Sequence, residues 1–353
     1  MAGSAGAVIG GVDTHGRTHH AAAIDAKGRV LGDREFEASA RGYRELVSWL
    51  RAHGTVQSVG IEGTGSYGAG LCRHLLGEGL RVVEVDRPDR KARRAKGKSD
   101  PIDAESAARA VLAGTASTTP KDRTGIVESV RMLRIARAGA VMARTAAINA
   151  LRATVATAPE RVRAELAALT PARLIDTCAA LRPDRDRLGD PAQGAKLALR
   201  ALGRRIGALD REIRELDTVL DRLVRQTAPT TVSLLGIGVN HAGQFLVTTG
   251  QNPERLQSEA AFARLCGAAP LPASSGRTSR HRLSRGGDRQ ANRALHMAVV
   301  VRLAHCPRTR DYAERRLKEG LSKREIMRCL KRYVAREVYH ALVFDLGAPQ
   351  GLD

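Results

Sequence analysis

Two apolar runs that each close on an acid constrain this chain more than any other feature. Ala7-Val8-Ile9-Gly10-Gly11-Val12 ends at Asp13, and Val59-Gly60-Ile61 ends at Glu62. Short runs of this kind predict buried strands. Between them, residues 19–24 and 29–37 flank the turn Asp25-Ala26-Lys27-Gly28 as a hairpin, and a helix follows over 43–51. A helix near 69–76 and a strand over 81–85 complete the region. Three strands followed by alternating helix and strand predict an α/β domain built on a mixed sheet. In such sheets functional residues gather at the carboxyl ends of strands, where Asp13 and Glu62 both lie. Acids also follow strands as ordinary turn formers, so position alone leaves both readings open.

The 353 residues carry 58 Lys plus Arg against 37 Asp plus Glu, a formal net charge of +21. A polyanionic partner is expected, because each neutralised phosphate releases counterions. Aromatic residues make up 3%, which favours backbone electrostatics over base stacking as the main binding mode. Cys72, Cys178, Cys266, Cys306 and Cys329 form no CxxC pair and no disulfide framework, as expected of buried thiols in a reducing cytosol. No signal peptide and no membrane-length apolar run is read, so a cytoplasmic, nucleoid-associated location without membrane contact is expected.

Against that basic background, acids ask for an explanation. Ser99-Asp100-Pro101-Ile102-Asp103 reads as a helix start, with proline in the first turn. Asp100 could act as the N-cap and Asp103 could complement the helix dipole. The two also face the same way, and with Asp13 and Glu62 they could converge on one point as ligands for Mg²⁺ (or Mn²⁺). The preceding basic stretch contains Arg90, Lys91, Arg93, Arg94, Lys96 and Lys98 and is expected to contact phosphates. His15, His19 and His20 lie near Asp13, but hard Mg²⁺ prefers oxygen ligands. They are taken as strand or rim residues, with His15 a candidate substrate contact.

From about residue 120 the pattern becomes helical. Residues 126–155 are rich in Ala and Arg, and Leu199, Leu202, Ile206, Leu209, Ile213, Leu216, Leu220 and Leu223 follow heptad spacing. The seam could close an antiparallel hairpin with the first helix or pair subunits. Pro229 is expected to end this arm. Gly236-Ile237-Gly238 could contact phosphate or be a plain helix–helix turn. A helix over 259–266 precedes an irregular loop, 267–276. Arg277, Arg280, Arg282, Arg285 and Arg289 follow as candidate phosphate contacts, the last on a helix starting near Asp288, and a helix over 323–342 closes the chain. Three regions are expected: 1–117, 118–228 and 229–353.

Gly11-Val12-Asp13-Thr14-His15, Ile61-Glu62-Gly63-Thr64-Gly65-Ser66-Tyr67-Gly68 and Lys98-Ser99-Asp100-Pro101-Ile102-Asp103-Ala104 together resemble the DEDD-type transposases of insertion sequence family 110. Residues 267–276 and 282–295 resemble the carboxyl-terminal transposase domain of the same family. The resemblance implies a RuvC-like (RNase H-like) amino-terminal domain, a coiled-coil region and a mainly α carboxyl-terminal domain. It further implies a metal-binding Asp13, Glu62, Asp100 and Asp103, and a serine nucleophile that carries over to Ser275, with Ser274 immediately before it. A structured noncoding bridge RNA that pairs with donor and target DNA is also implied. Recombination handles four strands, so a tetramer built as a dimer of dimers is expected. Two other functions compete: a RuvC-like metal nuclease or transposase with an idle serine, and a noncatalytic nucleic-acid-binding protein.

Overall fold

The computed structural model describes residues 6–85, 99–274, 281–282, 284 and 286–347. The chain divides into two compact units, Met1–Thr124 with Thr249–Phe262, and Gly125–Thr248 with Ala263–Asp353.

In the first unit, strands β1 (Ala7–Thr14), β2 (Thr18–Asp25), β3 (Val30–Glu37), β4 (Thr55–Glu62) and β5 (Val82–Val85) form one sheet in the order β3-β2-β1-β4-β5. The β1–β2 and β2–β3 pairs are antiparallel, and β1–β4 and β4–β5 are parallel. This is the expected mixed sheet, and the unit is α/β and RuvC-like. Helices α1 (Ala40–Ala52) and α2 (Ala69–Gly77) cover one face, and α3 (Asp100–Leu112) covers the other.

Strand alternation divides the residues between these faces. Val8 and Val12 of β1 join Val59 and Ile61 of β4 and Leu46, Leu50, Leu71 and Leu75 of α1 and α2 in the main core. Ile9 and Ile24 instead meet Ala108, Val111 and Leu112 of α3. Glycines let α3 approach the strands closely. A Cβ on Gly11 would lie 2.1 Å from the Ala104 carbonyl oxygen, and one on Gly60 would lie 2.7 Å from Val111.

His19 is fully buried in β2 and stacks on Tyr43, with ring centroids 5.7 Å apart and neither ring nitrogen hydrogen-bonded. Burial pushes its pKa below the ordinary 6.5. The folded state therefore keeps this ring neutral while the unfolded chain takes up a proton. Stability from this position is intact above pH 6.5 and falls as pH drops below it toward the lowered native value. Thermal melts between pH 7.5 and 5 should show a smaller loss of Tm for His19→Phe than for the unmodified chain.

The second unit is helical. Helices α4 (Gly125–Thr157) and α7 (Pro191–Thr227) pack as a hairpin, with the short α5 (Glu160–Leu166) and α6 (Pro171–Ala180) at its far end. Ala147, Leu151 and Val155 meet Leu199 and Ile206 in the core there. Ion pairs Arg137–Asp217 and Arg144–Asp210 run in opposite senses along the two helices, so the pair is antiparallel. The heptad seam is thus used within the chain. The arm ends as expected at Pro229: the helix stops at Thr227, and Pro229 opens α8 (Pro229–Ser233) in its first turn. Thr230 and Thr231 backbone N–H groups donate to the buried carboxylate of Asp345, at 3.0 and 2.9 Å. Helices α9 (Val239–Thr249), α10 (Glu259–Leu265), α11 (Arg289–His305), α12 (Pro307–Lys318) and α13 (Lys323–Gly347) follow along the chain, with the first four residues of α10 in the segment that belongs to the first unit. Gly236 (φ 83°) sits against the Ala298 backbone, so its lack of a side chain serves packing. Cys72, Cys178 and Cys266 are buried as expected, while Cys306 and Cys329 are half-buried. Among the described residues, no helix is long and apolar enough to cross a membrane.

Candidate metal centre

The register of β1 and β4 places two acids side by side. Val12 pairs with Ile61, so Asp13 and Glu62 each lie one residue further along neighbouring parallel strands. By alternation both follow Gly11 and Gly60 onto the α3 face. Helix α3 begins at Asp100, at the same end of the sheet. Ser99 occupies the N-cap position and makes no side-chain capping bond, so Asp100 is the first helical residue and not the cap. Its carboxylate is directed elsewhere: Asp100 Oδ1 lies 3.4 Å from His15 Nε2, and Asp13 Oδ2 lies 3.2 Å from the same nitrogen.

Ligand atoms of Asp13, His15 and Asp100 all lie within 4.8 Å of one another. Asp13 is buried and Asp100 is exposed along 45% of its side chain, so the cluster opens to solvent on the α3 side. His15 Nε2 is itself shielded from solvent and lacks hydrogen-bonding geometry toward either carboxylate. Glu62 is half-buried at the end of β4, and Asp103, one turn into α3, is 4% exposed. Both lie outside the 4.8 Å grouping. The expected acids therefore share one end of the sheet, and His15 stands between two of them. His15 lies one residue beyond β1, where its N–H donates to the Thr18 carbonyl in the turn into β2.

The turn after Glu62 holds this end together. Gly63 adopts φ 76°, a conformation open to glycine, and its carbonyl accepts from the Ser66 and Gly68 N–H groups. Thr14 Oγ1 donates to the Glu62 carbonyl at 2.8 Å, joining the ends of β1 and β4. Thr64, buried in the same turn, donates to Glu84 at 2.7 Å. The Gly-Thr-Gly-Ser-Tyr-Gly segment thus fixes the backbone beside the acids.

In the second unit the expected irregular loop has an ordered neck. Strands β6 (Leu271–Pro272) and β7 (His281–Arg282) pair antiparallel, Leu271 with Arg282 and Pro272 with His281. Its base is tied down by Asn292, whose Nδ2 donates to the Cys266 and Gly267 carbonyls at 2.9 and 2.8 Å. Asp288 caps α11 by accepting from Gln290 and Ala291 N–H groups, and its other oxygen accepts from Thr248 at 2.7 Å. Ser274 is exposed just beyond the neck, as are Arg282 in β7 and Arg289 at the start of α11. Ser275, Arg277, Arg280 and Arg285 lie outside the described residues, as do Arg90, Lys91, Arg93, Arg94, Lys96 and Lys98.

Two family profiles match the chain. A transposase profile of the DEDD, IS110 type covers residues 10–158, and one described as transposase, IS116/IS110/IS902 family, covers residues 231–314. The chain is also 31% identical over 131 residues to the insertion element IS900 uncharacterized 42 kDa protein of Mycobacterium paratuberculosis. That match covers 36% of this chain and 33% of the relative, so the chain spans about a third of the curated relative's length. The first profile contains the strand-end acids and the start of α3, and the second contains the loop neck with Asp288 and Asn292. The chain belongs to the IS110 family of DEDD transposases.

Proposed function

We propose that this protein is a transposase that excises and inserts a mobile DNA element, with a metal-dependent carboxylate site and a serine nucleophile. The observation that carries this reading is the convergence of Asp13, Asp100 and His15 at the end of the sheet. Asp13, Glu62, Asp100 and Asp103 are the residues that would hold the metal, and a divalent ion there, Mg²⁺ or Mn²⁺, would polarise the scissile phosphate and offset its developing charge. His15 Nε2 stands between the Asp13 and Asp100 carboxylates, 3.2 and 3.4 Å from them.

Breaking and rejoining DNA without a high-energy cofactor requires that phosphodiester energy be conserved. In this reading Ser275 Oγ bonds to phosphorus as the scissile P–O bond breaks, and the released strand end leaves with the proton that serine gives up. Reversal by a hydroxyl on a new partner reseals the strand. Serine is a weak nucleophile at neutral pH and needs activation. Arg277, Arg280 and Arg282 clamp the nonbridging oxygens, and the other basic positions, Arg285, Arg289 and those at 90–98, bind the phosphate backbone. The partners are donor and target DNA and a structured bridge RNA. The helical region 118–228 serves assembly into a tetramer, with 1–117 and 229–353 carrying the carboxylates and the serine.

The test is amplification of excision junctions from cells that carry the whole element, with protein levels matched. Ser275→Ala is expected to abolish junctions while Ser274→Ala keeps them. Junctions that survive Ser275→Ala would remove the serine mechanism and leave a carboxylate-only transposase.

A further inference from the structure

A cavity of about 590 Å³ lies within the second unit, between the β6–β7 neck, the end of α12 and the first half of α13. Its size falls in the range that accommodates one small organic ligand. Its lining is strongly cationic, with Arg282, Arg316, Arg328, Lys331 and Arg332 against the single acid Glu325. Such a surplus of positive charge in a half-enclosed space has an evident use in holding phosphate.

The rest of the lining is not what phosphate alone would need. Pro270, Leu321 and the ring of Tyr333 supply an apolar side, and Tyr333 is 51% exposed although aromatic residues are scarce in the chain. The ring is held in place from behind by Tyr312, edge-on at 5.5 Å. A preset aromatic face beside clustered cations matches a nucleotide, with its base on the ring and its phosphates on the guanidinium groups.

Two buried polar groups make the pocket a built one. Lys331 is 6% exposed, and its Nζ donates to Asn292 Oδ1 at 2.9 Å. Asn292 in turn holds the Cys266 and Gly267 carbonyls at the root of the neck. The cavity floor and the loop base are thus one hydrogen-bonded assembly. Arg316 Nε is shielded from solvent and has no hydrogen-bond partner, while the outer part of its guanidinium pairs with Glu319.

We propose that this cavity binds one unstacked nucleotide of a nucleic-acid strand, its base against Tyr333 and its phosphate on Arg316 and Arg328. The site needs neither a metal nor a nucleophile. It positions the strand relative to the loop that follows Pro272 and takes no part in bond breaking.

The test uses the full-length protein in EDTA, so that loss of cleavage chemistry cannot enter the result. Single-stranded DNA and RNA oligonucleotides bearing one 5-iodouracil are irradiated with the protein, and the adduct is mapped by mass spectrometry. Cross-linking is expected at Tyr333, stronger for whichever strand is the natural occupant. Affinity measured by anisotropy should fall about tenfold in Tyr333→Leu and further in Arg328→Ala, with unchanged melting curves. A mononucleotide should compete only weakly, because it lacks the flanking phosphates. Absence of a Tyr333 adduct with both DNA and RNA would overturn the proposal. So would competition by a free nucleotide at the oligonucleotide's own affinity, which would make the cavity a small-molecule site.

Discussion

Asp13→Asn should leave a folded protein in which excision junctions fall by more than about 100-fold, since even outer-shell metal-site substitutions cost about 10–100-fold. The amide keeps the shape of the side chain and removes the charge. Asp13 is buried at the end of β1 and lies 3.2 Å from His15 Nε2, so an isosteric change disturbs packing little. The neutral amide is a poor ligand for a hard cation, whose preferred donors are charged oxygens. Junction yield should therefore collapse while circular dichroism and the melting profile stay close to those of the unmodified chain. Partial activity restored by raising Mn²⁺ would locate the defect in metal affinity. Full junction yield at ordinary metal concentration would mean that Asp13 is a turn former and nothing more.

The second large effect concerns how the acids come together. Asp100 reaches Asp13 because α3 lies directly on β1, and α3 can do so because residue 11 has no side chain. A Cβ there would fall 2.1 Å from the Ala104 carbonyl oxygen and 2.3 Å from the Ala108 nitrogen, both backbone atoms of α3. No rotamer change relieves such contacts, so the helix must shift off the sheet. Gly11→Ala should cost about 3 kcal/mol, a fall in Tm on the order of 10 °C. Junction yield should be lost even at temperatures where the protein remains folded, because Asp100 moves with the helix. Gly77→Ala is the matched control, since a Cβ at that position meets nothing within 4 Å. Equal melting temperatures for Gly11→Ala and Gly77→Ala would contradict this account of the helix placement.

Much of this geometry was legible in the sequence, for reasons that can be traced to individual residues. Apolar runs closed by Asp13 and Glu62 marked strands because a buried strand needs a continuous apolar segment, and the Asp25–Gly28 turn marked the hairpin. Proline after Asp100 marked the start of α3, and the spacing of Leu199 to Leu223 marked the long helix α7. What the sequence did not reveal depends on distant partners. The order of strands in the sheet follows from packing, and nothing local announces that β4 lies beside β1. The hardness of Mg²⁺ argues against a histidine ligand, yet the His15 nitrogen stands between Asp13 and Asp100. Helix α12 leaves only a faint apolar period, because Pro307–Lys318 carries many charges and buries no residue. The segment Thr249–Phe262 belongs with the first unit through long-range polar contacts. Asn252 accepts from the Asp122 N–H at 2.8 Å and donates to the Pro120 carbonyl at 3.1 Å, and Arg255 donates to Thr119. Contacts across some 130 residues leave no periodic trace in either segment.

The central claim is that the carboxylates at the end of β1 and the start of α3 form a metal centre. Electron paramagnetic resonance of added Mn²⁺ tests it without any need for activity. Titration of the full-length protein should show the free-ion signal suppressed up to a saturable stoichiometry. That binding should be lost in the Asp13→Asn, Asp100→Asn double variant, while a control substitution at exposed Asp33 leaves it intact. Identical Mn²⁺ binding in the unmodified chain and the double variant would contradict the account and return these acids to turn and helix-start roles.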